Sequence, residues 1–220
     1  MRQLLLISTI LLGFLGVAWE ASANQPPAYE GRRLFVSYCQ LCHGPDGKGD
    51  GPLAKKMGIE PANLKTTVRS RSDTILIKII SGNGRQTITG RDRHNLISDK
   101  MPEWKDVFDD GQIKALIAYL RFLSISKNPL MGNPEVGNKL YSQYCSVCHG
   151  EEGDGDGIMT KLMDLEPLDH TNASLMNDLS NDDLVKAIMR GKGRYMPGWK
   201  KILTKNEIEA LVSYIRLLSF

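Results

Sequence analysis

Two short clusters of cysteine and histidine contain the side chains of this sequence that are best suited to chemistry. Both clusters have the spacing C-x-x-C-H, and their six residues are Cys39, Cys42, His43, Cys145, Cys148 and His149. The remainder of the 220-residue chain contains no cysteine. Two thiols and an imidazole within five residues can form a disulfide, a thiol redox pair, a zinc site or a point of covalent attachment for a cofactor.

Covalent attachment of haem is the one of these chemistries that uses every residue of the motif. A disulfide within each motif would close only a very short loop and would leave the histidine without a role. A thioredoxin-like redox pair needs a strand that leads into a helix, and a structural zinc site normally needs a fourth ligand. In a haem site the two thiols form thioethers with the vinyl groups, and the histidine binds the iron. We therefore interpret each motif as the site of one covalently bound haem c.

The second half of the sequence repeats the first half. With an offset of 106 residues, YCQLCHGPDGKGDG at Tyr38 aligns with YCSVCHGEEGDGDG at Tyr144. The offset later rises to 109 and then falls to 95, where MPEWK at Met101 aligns with MPGWK at Met196. The first copy therefore contains 14 extra residues, numbers 86–99.

Each copy has the pattern of three main helices joined by long loops. The first helix, at about 31–39 in the first copy, delivers the cysteine motif at its end. The second helix stops at Gly82, a residue suited to a left-handed helix end. The third carries apolar residues at helical spacing, and in the second copy it begins at Thr204 with the form of a capping box. No strand pattern is present, so the predicted fold class is all-α with two domains, residues 24–127 and 128–220.

An iron atom bound by one histidine needs a sixth ligand or leaves an open coordination site. Met101 and Met196 occupy equivalent places in the two copies, and the proline that follows each of them stiffens the loop beside the sulfur. A thioether ligand raises the reduction potential relative to a second histidine. We predict these two methionines as the sixth ligands, with His94 in the extra segment as the one rival in the first domain. Otherwise His94, and also His170, are interpreted as ordinary surface or loop histidines.

The first 23 residues have the order of a secretory signal peptide. Arg2 precedes an apolar run from Leu4 to Ala18, and the small residues Ala-Ser-Ala end at Ala23. The run is short and poorly flanked for a membrane span, although an uncleaved anchor is the alternative interpretation. No second apolar stretch approaches membrane length. We therefore predict an exported, periplasmic protein without stable membrane insertion after signal cleavage, which agrees with the attachment of haem c outside the cytoplasm.

Charge is distributed unevenly between the two halves. Residues 24–127 contain 17 Lys and Arg against 11 Asp and Glu, a net charge of +6, whereas residues 128–220 contain 10 against 13, a net charge of −3. The basic residues are scattered and do not form a stripe, so the sequence does not predict binding of nucleic acid. The asymmetry favours directional docking of redox protein partners, with the acidic surface of a partner at the first domain.

Each half resembles a class I c-type cytochrome, and the resemblance covers the chain after the leader. The shared features are a helix that runs into C-x-x-C-H, a glycine-rich loop, a later Met-Pro pair and a closing helix with aromatic residues. The resemblance implies an all-helical fold around two covalently bound haem c groups. It also implies thioether bonds from the four cysteines, proximal ligation by His43 and His149, and distal ligation by Met101 and Met196.

The resemblance implies roles for several neighbouring residues as well. A proline carbonyl, from Pro61 or Pro167, is expected to accept the free N–H of the proximal histidine. The tyrosines expected where the first and last helices cross are Tyr38, Tyr119, Tyr144 and Tyr214. Candidate donors to the haem propionates, with ordinary surface or core roles as the alternative, are Arg85, Arg194, Trp104 and Trp199.

The predicted function is the transfer of single electrons between redox partners, without catalysis. Two filled iron coordination spheres leave no place for a substrate. Two alternatives stay open. One is a small dihaem oxidoreductase with an open iron in the first domain, beside His94. The other is an electron-transfer subunit of a larger respiratory or dehydrogenase complex.

Overall fold

The computed structural model describes residues 25–82 and 100–220. These two ranges fold into helices and loops, and an isolated antiparallel bridge between Lys192 and Met196 is their only strand-like pairing. The all-α prediction is therefore confirmed. Within the same ranges, none of the helices combines the length and the apolar composition that a membrane crossing needs. The predicted leader, Arg85 and His94 lie outside the described residues.

The first copy begins with a helix that changes its winding before the cysteine motif. Helix α1, Pro27–Leu34, continues through a π-helical segment, Phe35–Cys39, into α2. The helices that complete this copy are α2 at Gln40–His43, α3 at Pro52–Met57, α4 at Leu64–Thr67, α5 at Asp73–Ser81 and α6 at Asp110–Ile125. The three predicted main helices correspond to α1 with its continuation, α5 and α6.

The second copy has the same order of elements. Its helices are α7 at Pro134–Tyr144, α8 at Ser146–His149, α9 at Ile158–Met163, α10 at Ala173–Asp178, α11 at Asn181–Arg190 and α12 at Lys205–Leu218. The short helices were not predicted in either copy. Local capping forms α4 and α10, because the side chains of Asn63 and Asn172 accept backbone N–H groups of the first turn.

Two helix ends that the sequence predicts, the end of α5 and the start of α12, are present in the structure. Gly82 ends α5 with a φ of 84°, a left-handed conformation that costs glycine little. Thr204 begins α12, and its side chain accepts the N–H of Glu207 while the Glu207 carboxylate accepts the N–H of Thr204. These reciprocal bonds form the predicted capping box.

The first and last helices of each copy cross at a glycine. A Cβ atom on Gly31 would lie 1.9 Å from the Ala115 carbonyl oxygen, and one on Gly137 would lie 2.0 Å from that of Ala210. Side chains at i and i+4 lie on the same helix face. The aromatic residues one turn further on therefore pack in pairs, with ring centroids at 5.3 Å in both Phe35–Tyr119 and Tyr141–Tyr214.

Two of the four tyrosines expected at these crossings pack elsewhere. Tyr119 and Tyr214 lie at the crossings as predicted. Tyr38 and Tyr144 point along their helices toward the Met-Pro-x-Trp segments, with ring centroids 5.6 Å from Trp104 and 4.9 Å from Trp199.

The two copies pack against each other through the first helix of one and the last helix of the other. Tyr29 contacts Tyr214 edge to face at 5.4 Å. Phe122 contacts Phe220 in the same way at 5.5 Å. At the margin, Arg32 pairs with Glu135 at 2.6 Å. The buried apolar residues of both copies therefore form one continuous cluster.

Candidate haem sites

The cysteine motif of each copy lies between a helix end and a glycine-rich loop that folds back over it. Gly44 and Gly150 both have a φ of 78° and turn the chain after the histidine. The loop returns five residues later, where Gly49 and Gly155 donate their N–H groups to the carbonyl oxygens of His43 and His149, at 2.8 and 2.9 Å. The glycines explain why the loop can approach the motif so closely.

A cavity in the second copy brings together all four predicted site residues of that domain. It has a volume of about 920 Å³ and is lined by Cys145, Cys148, His149 and Met196. Its remaining walls are largely apolar and include Leu168, Leu184, Ile188, Trp199 and Ile215. This size and lining are those of a site for a large apolar cofactor.

The four cysteines are free thiols in positions of intermediate exposure. Burial, followed by the neighbouring cysteine of the motif, raises the pKa of Cys39 and of Cys145 to about 12. These two thiols are therefore protonated at neutral pH, because removal of the proton would leave a thiolate in an apolar setting.

The proximal histidines of the two copies differ in their hydrogen bonds. His43 Nδ1 lies 3.3 Å from the Ala62 carbonyl oxygen, to which its N–H can donate. The predicted acceptor, Pro61, is wrong by one residue, because the Pro61 carbonyl faces the glycine loop at Gly49. Burial lowers the pKa of both His43 and His149, so the imidazoles are neutral at neutral pH and each has a ring nitrogen able to bind iron.

His149 Nδ1 is buried without a hydrogen-bond partner. The carbonyl of Leu168, which is equivalent to Ala62, lies near enough to raise the pKa of His149 slightly against the larger effect of burial. The Leu168 carbonyl thus acts on the ring as a hydrogen-bond acceptor would, but the contact is not good enough to satisfy Nδ1. A metal-ligating histidine normally donates its second ring N–H to a partner, so His149 differs in this respect from His43.

His170 is part of the second site, which the sequence did not predict. Its side chain is buried, with 6% of its surface exposed, so the interpretation as a surface histidine is wrong. The His170 ring stacks on His149, with centroids 4.5 Å apart and planes 13° apart. On its other side, Nδ1 lies 3.3 Å from the Tyr141 hydroxyl group. Burial lowers the pKa of His170 to about 3, so the ring is neutral.

The predicted methionine ligands are partly buried against the core in both copies. The segment that carries each one is tied to the preceding helix by the tryptophan that follows. Trp104 donates its backbone N–H to the Ile80 carbonyl at 3.1 Å, and Trp199 donates to that of Ile188 at 2.9 Å. Met196 is fixed further by its carbonyl, which accepts the N–H of Lys192 at 3.1 Å.

Two candidate propionate donors line the cavity of the second copy, Arg194 and Trp199. The Arg194 guanidinium lies over the ring of Tyr195, 5.6 Å from its centroid, at the rim. Other cationic side chains of the same rim belong to Lys186, Arg190 and Lys192. The lining also includes the carboxylates Glu166, Asp169 and Asp183. The second site therefore combines a largely apolar interior with cationic side chains that could bind the carboxylate groups of a cofactor.

The residues described so far fit a covalently bound haem c. In the second copy the two cysteines, the imidazole and the thioether line one large and largely apolar cavity. Together with the repeated helical frame, these features define the class of the molecule, which is a c-type cytochrome with two haem domains in tandem.

Comparisons with known families support the same class for each half. Residues 28–124 match the family described as cytochrome c, and residues 132–215 match the family described as cytochrome c oxidase, cbb3-type, subunit III. The chain belongs to the c-type cytochromes and binds two haem c groups, one in each domain.

Curated relatives of this chain are longer proteins. The chain is 28% identical over 197 residues to the cbb3-type cytochrome c oxidase subunit CcoP of Azospirillum brasilense, covering 86% of this chain and 61% of the relative. It is 24% identical to subunit FixP of Azorhizobium caulinodans, covering 86% and 59%. The chain thus spans about three fifths of the length of these relatives.

Two solved structures are also similar. One is the c-type cytochrome KustC0563, with 30% identity, coverage of 36% of this chain and 93% of that chain, and a TM-score of 0.33. The other is the reducing HAO-like protein complex Kustc0457/Kustc0458 of Kuenenia stuttgartiensis, with 25% identity, coverage of 86% and 95%, and a TM-score of 0.35.

Proposed function

We propose that this protein carries single electrons between redox partners through two haems with histidine and methionine ligands. The observation that carries the proposal is the cavity of the second copy, because it is lined by Cys145, Cys148, His149 and Met196 together. The repeat extends the same set to the first copy, whose residues are Cys39, Cys42, His43 and Met101.

The residues around the iron have separate tasks in this proposal. The bound haem supplies an iron that alternates between the ferric and ferrous states. The cysteines fix the ring covalently, so it cannot dissociate. The histidine and the methionine would hold the iron and leave no position for a substrate, and the thioether would favour the ferrous state. The apolar wall limits the change in hydration when the charge of the iron changes.

The protein is proposed to act on the exported side of a membrane, with residues 1–23 as the leader. The names of the relatives favour a second form of the same function, in which the chain is an electron-transfer subunit bound to a larger respiratory complex. The mass of the native particle separates the two forms, since a free carrier has the mass of one chain with two haems.

The surfaces beside the two cysteine loops differ in charge, although the first loop itself carries Asp46 and Asp50 against Lys48. Beside the first loop, Lys55 and Lys56 are exposed on α3. In the second loop, Glu151, Glu152 and Asp154 are exposed. We propose that an acidic partner docks at the first domain and a basic partner at the second, because opposite potentials attract over about a Debye length.

A redox titration of the purified, haem-loaded protein, followed by optical spectroscopy, tests the function. We expect two covalent low-spin haems, high potentials and the charge-transfer band of a methionine–iron bond. A high-spin haem that reacts with peroxide would contradict the carrier and support an enzyme.

Haem counting in cysteine variants tests the attachment sites. The double substitution Cys145→Ala with Cys148→Ala should leave one covalent haem, and Cys39→Ala with Cys42→Ala is the matched variant of the other domain. Retention of two covalent haems in either variant would show that the motifs are not the attachment points.

A further inference from the structure

The two proximal pockets differ at one position that the repeat makes directly comparable. Leu64 in the first copy and His170 in the second are 106 residues apart. Leu64 donates its backbone N–H to Gly47 and His170 donates to Gly153, both at 2.7 Å, so the two side chains start from the same place in the fold. The second copy therefore has an imidazole where the first has an aliphatic group.

The residue that contacts His170 in the second copy also has a different equivalent in the first copy. Tyr141, whose hydroxyl group lies 3.3 Å from His170 Nδ1, is equivalent to Phe35. Both aromatic rings pack at the helix crossing, with centroids 5.3 Å from their tyrosine neighbours. Only the second copy adds a hydroxyl group to this ring. The substitution pair thus introduces a hydrogen-bonded Tyr-His unit without changing the packing frame.

This unit lies against the predicted proximal ligand. The His170 ring is nearly parallel to His149, with 4.5 Å between centroids, which is stacking distance. His149 Nδ1 has no hydrogen-bond partner, whereas His43 Nδ1 lies 3.3 Å from a carbonyl oxygen. The ligand that has the stacking partner is the one that lacks the backbone acceptor.

We propose that His170 is a positioning residue that holds the His149 ring plane away from the Leu168 carbonyl and sets the second haem at a higher reduction potential than the first. This inference rests on the proposed function, because it takes His43 and His149 as the iron ligands. Tyr141 anchors His170 in turn.

The basicity of the histidine ligand determines which haem has the higher reduction potential. A carbonyl that accepts the Nδ1 proton makes the imidazole a stronger electron donor to iron. A stronger donor favours the ferric state and lowers the potential. His43 Nδ1 has this acceptor at 3.3 Å, whereas the Leu168 carbonyl acts on His149 without satisfying its Nδ1. Electrons that enter at the first domain should therefore settle on the second.

The substitution His170→Leu, made in the full-length protein with both haems, tests this role. The variant installs the residue of the first copy. We expect the potential of the second haem to fall and that of the first to stay unchanged. The electron distribution between the haems should shift by about tenfold, which corresponds to about 59 mV for one electron.

Three further variants make the result interpretable. Tyr141→Phe keeps the ring and should shift the same potential in the same direction by a smaller amount, so it reports on the role if His170→Leu loses its haem. Met176→Leu changes a buried side chain of the same domain and should shift neither potential. Cys39→Ala with Cys42→Ala leaves only the second covalent haem and assigns its potential.

A low-spin ferric electron paramagnetic resonance spectrum provides a readout that general loosening would not reproduce. His170→Leu should change the signal of the second haem, because that signal depends on the orientation of the axial ligands. The proposal is overturned if the second haem has the lower potential in the unchanged protein, or if His170→Leu and Tyr141→Phe alter neither potential. In both cases two intact haems would leave the carrier function standing, whereas fewer than two covalent haems would refute the carrier function itself.

Discussion

The methionine of each Met-Pro-x-Trp segment is positioned mainly by backbone contacts. The tryptophan three residues later bonds to the end of the preceding helix in both copies. In the second copy, Gly191 has a φ of 77°, and a Cβ atom there would lie 2.3 Å from the Met196 carbonyl oxygen. The chain around the sulfur is therefore held from both sides, as a weak thioether ligand requires.

Met196→Ala should remove the sixth ligand of the second haem. We expect that iron to become high-spin or to take another ligand, its potential to fall, and about half of the methionine–iron charge-transfer absorbance to disappear. Optical redox titration measures all three effects. Met131→Ala is the control, because Met131 is 40% exposed and lies outside the haem cavity. An unchanged band in Met196→Ala would assign the sixth position to another residue.

The sequence predicted the iron-binding side chains but not the atoms that orient them. The cysteines, histidines and methionines have residue types and spacings that carry their chemistry. The acceptor of His43 is the Ala62 carbonyl, and every residue has a carbonyl, so its identity depends on how the loop folds. His170 carried one usable signal, since an imidazole replaces the leucine of the first copy in an otherwise repeated segment.

The helix crossings decide whether either haem pocket can form. Gly31 and Gly137 let the first helix approach the backbone of the last helix directly. The cysteine motif is attached to the end of one of these helices, and the apolar pocket wall includes the other through Ile215. Any widening of the crossing would therefore separate the two sides of the pocket.

Gly137→Ala should destabilise the protein by about 3 kcal/mol, because the added methyl group meets the Ala210 carbonyl and forces the helices apart. Denaturant unfolding of the haem-loaded protein measures the change. Gly111→Ala is the matched control in the first turn of α6, where a Cβ atom meets only the Asp109 carboxylate oxygen at 3.1 Å. We expect this control to be neutral or to stabilise by about 0.5–1 kcal/mol. Equal stability of the two variants would contradict the close crossing.

The main helices were predictable because their local signals agree with their packing. Apolar residues recur at helical spacing in α5, α6 and α12, and the ends carry glycine or a capping box. The short helices such as α4 were missed because four to six residues give no periodic pattern. The π-helical segment before Cys39 also has no local signal, since its winding depends on contacts with other elements.

The uneven charge of the two domains belongs to the molecule as a whole. Charge reversal on the first domain by Lys55→Glu with Lys56→Glu should lower the rate at which an acidic redox protein reduces this domain. We expect a decrease of about tenfold at low salt. The difference should shrink as ionic strength rises, because salt screens exposed charges. Stopped-flow reduction at several salt concentrations measures it. Reversal of charge on the second domain, at Glu151→Lys and Glu152→Lys, is the control and should not slow this partner. A reduction rate that changes neither with salt concentration nor with charge reversal would exclude electrostatic steering.

The contact between the two domains has a further consequence for the speed of internal electron exchange. Tyr29 against Tyr214, Phe122 against Phe220 and the Arg32–Glu135 ion pair join the copies directly, in addition to the linker. Domains that must diffuse toward each other before an electron can cross are slowed by viscous solvent. These contacts remove the need for such diffusion, so we expect electron exchange between the two haems to be insensitive to glycerol, whereas encounters with outside partners should be slowed.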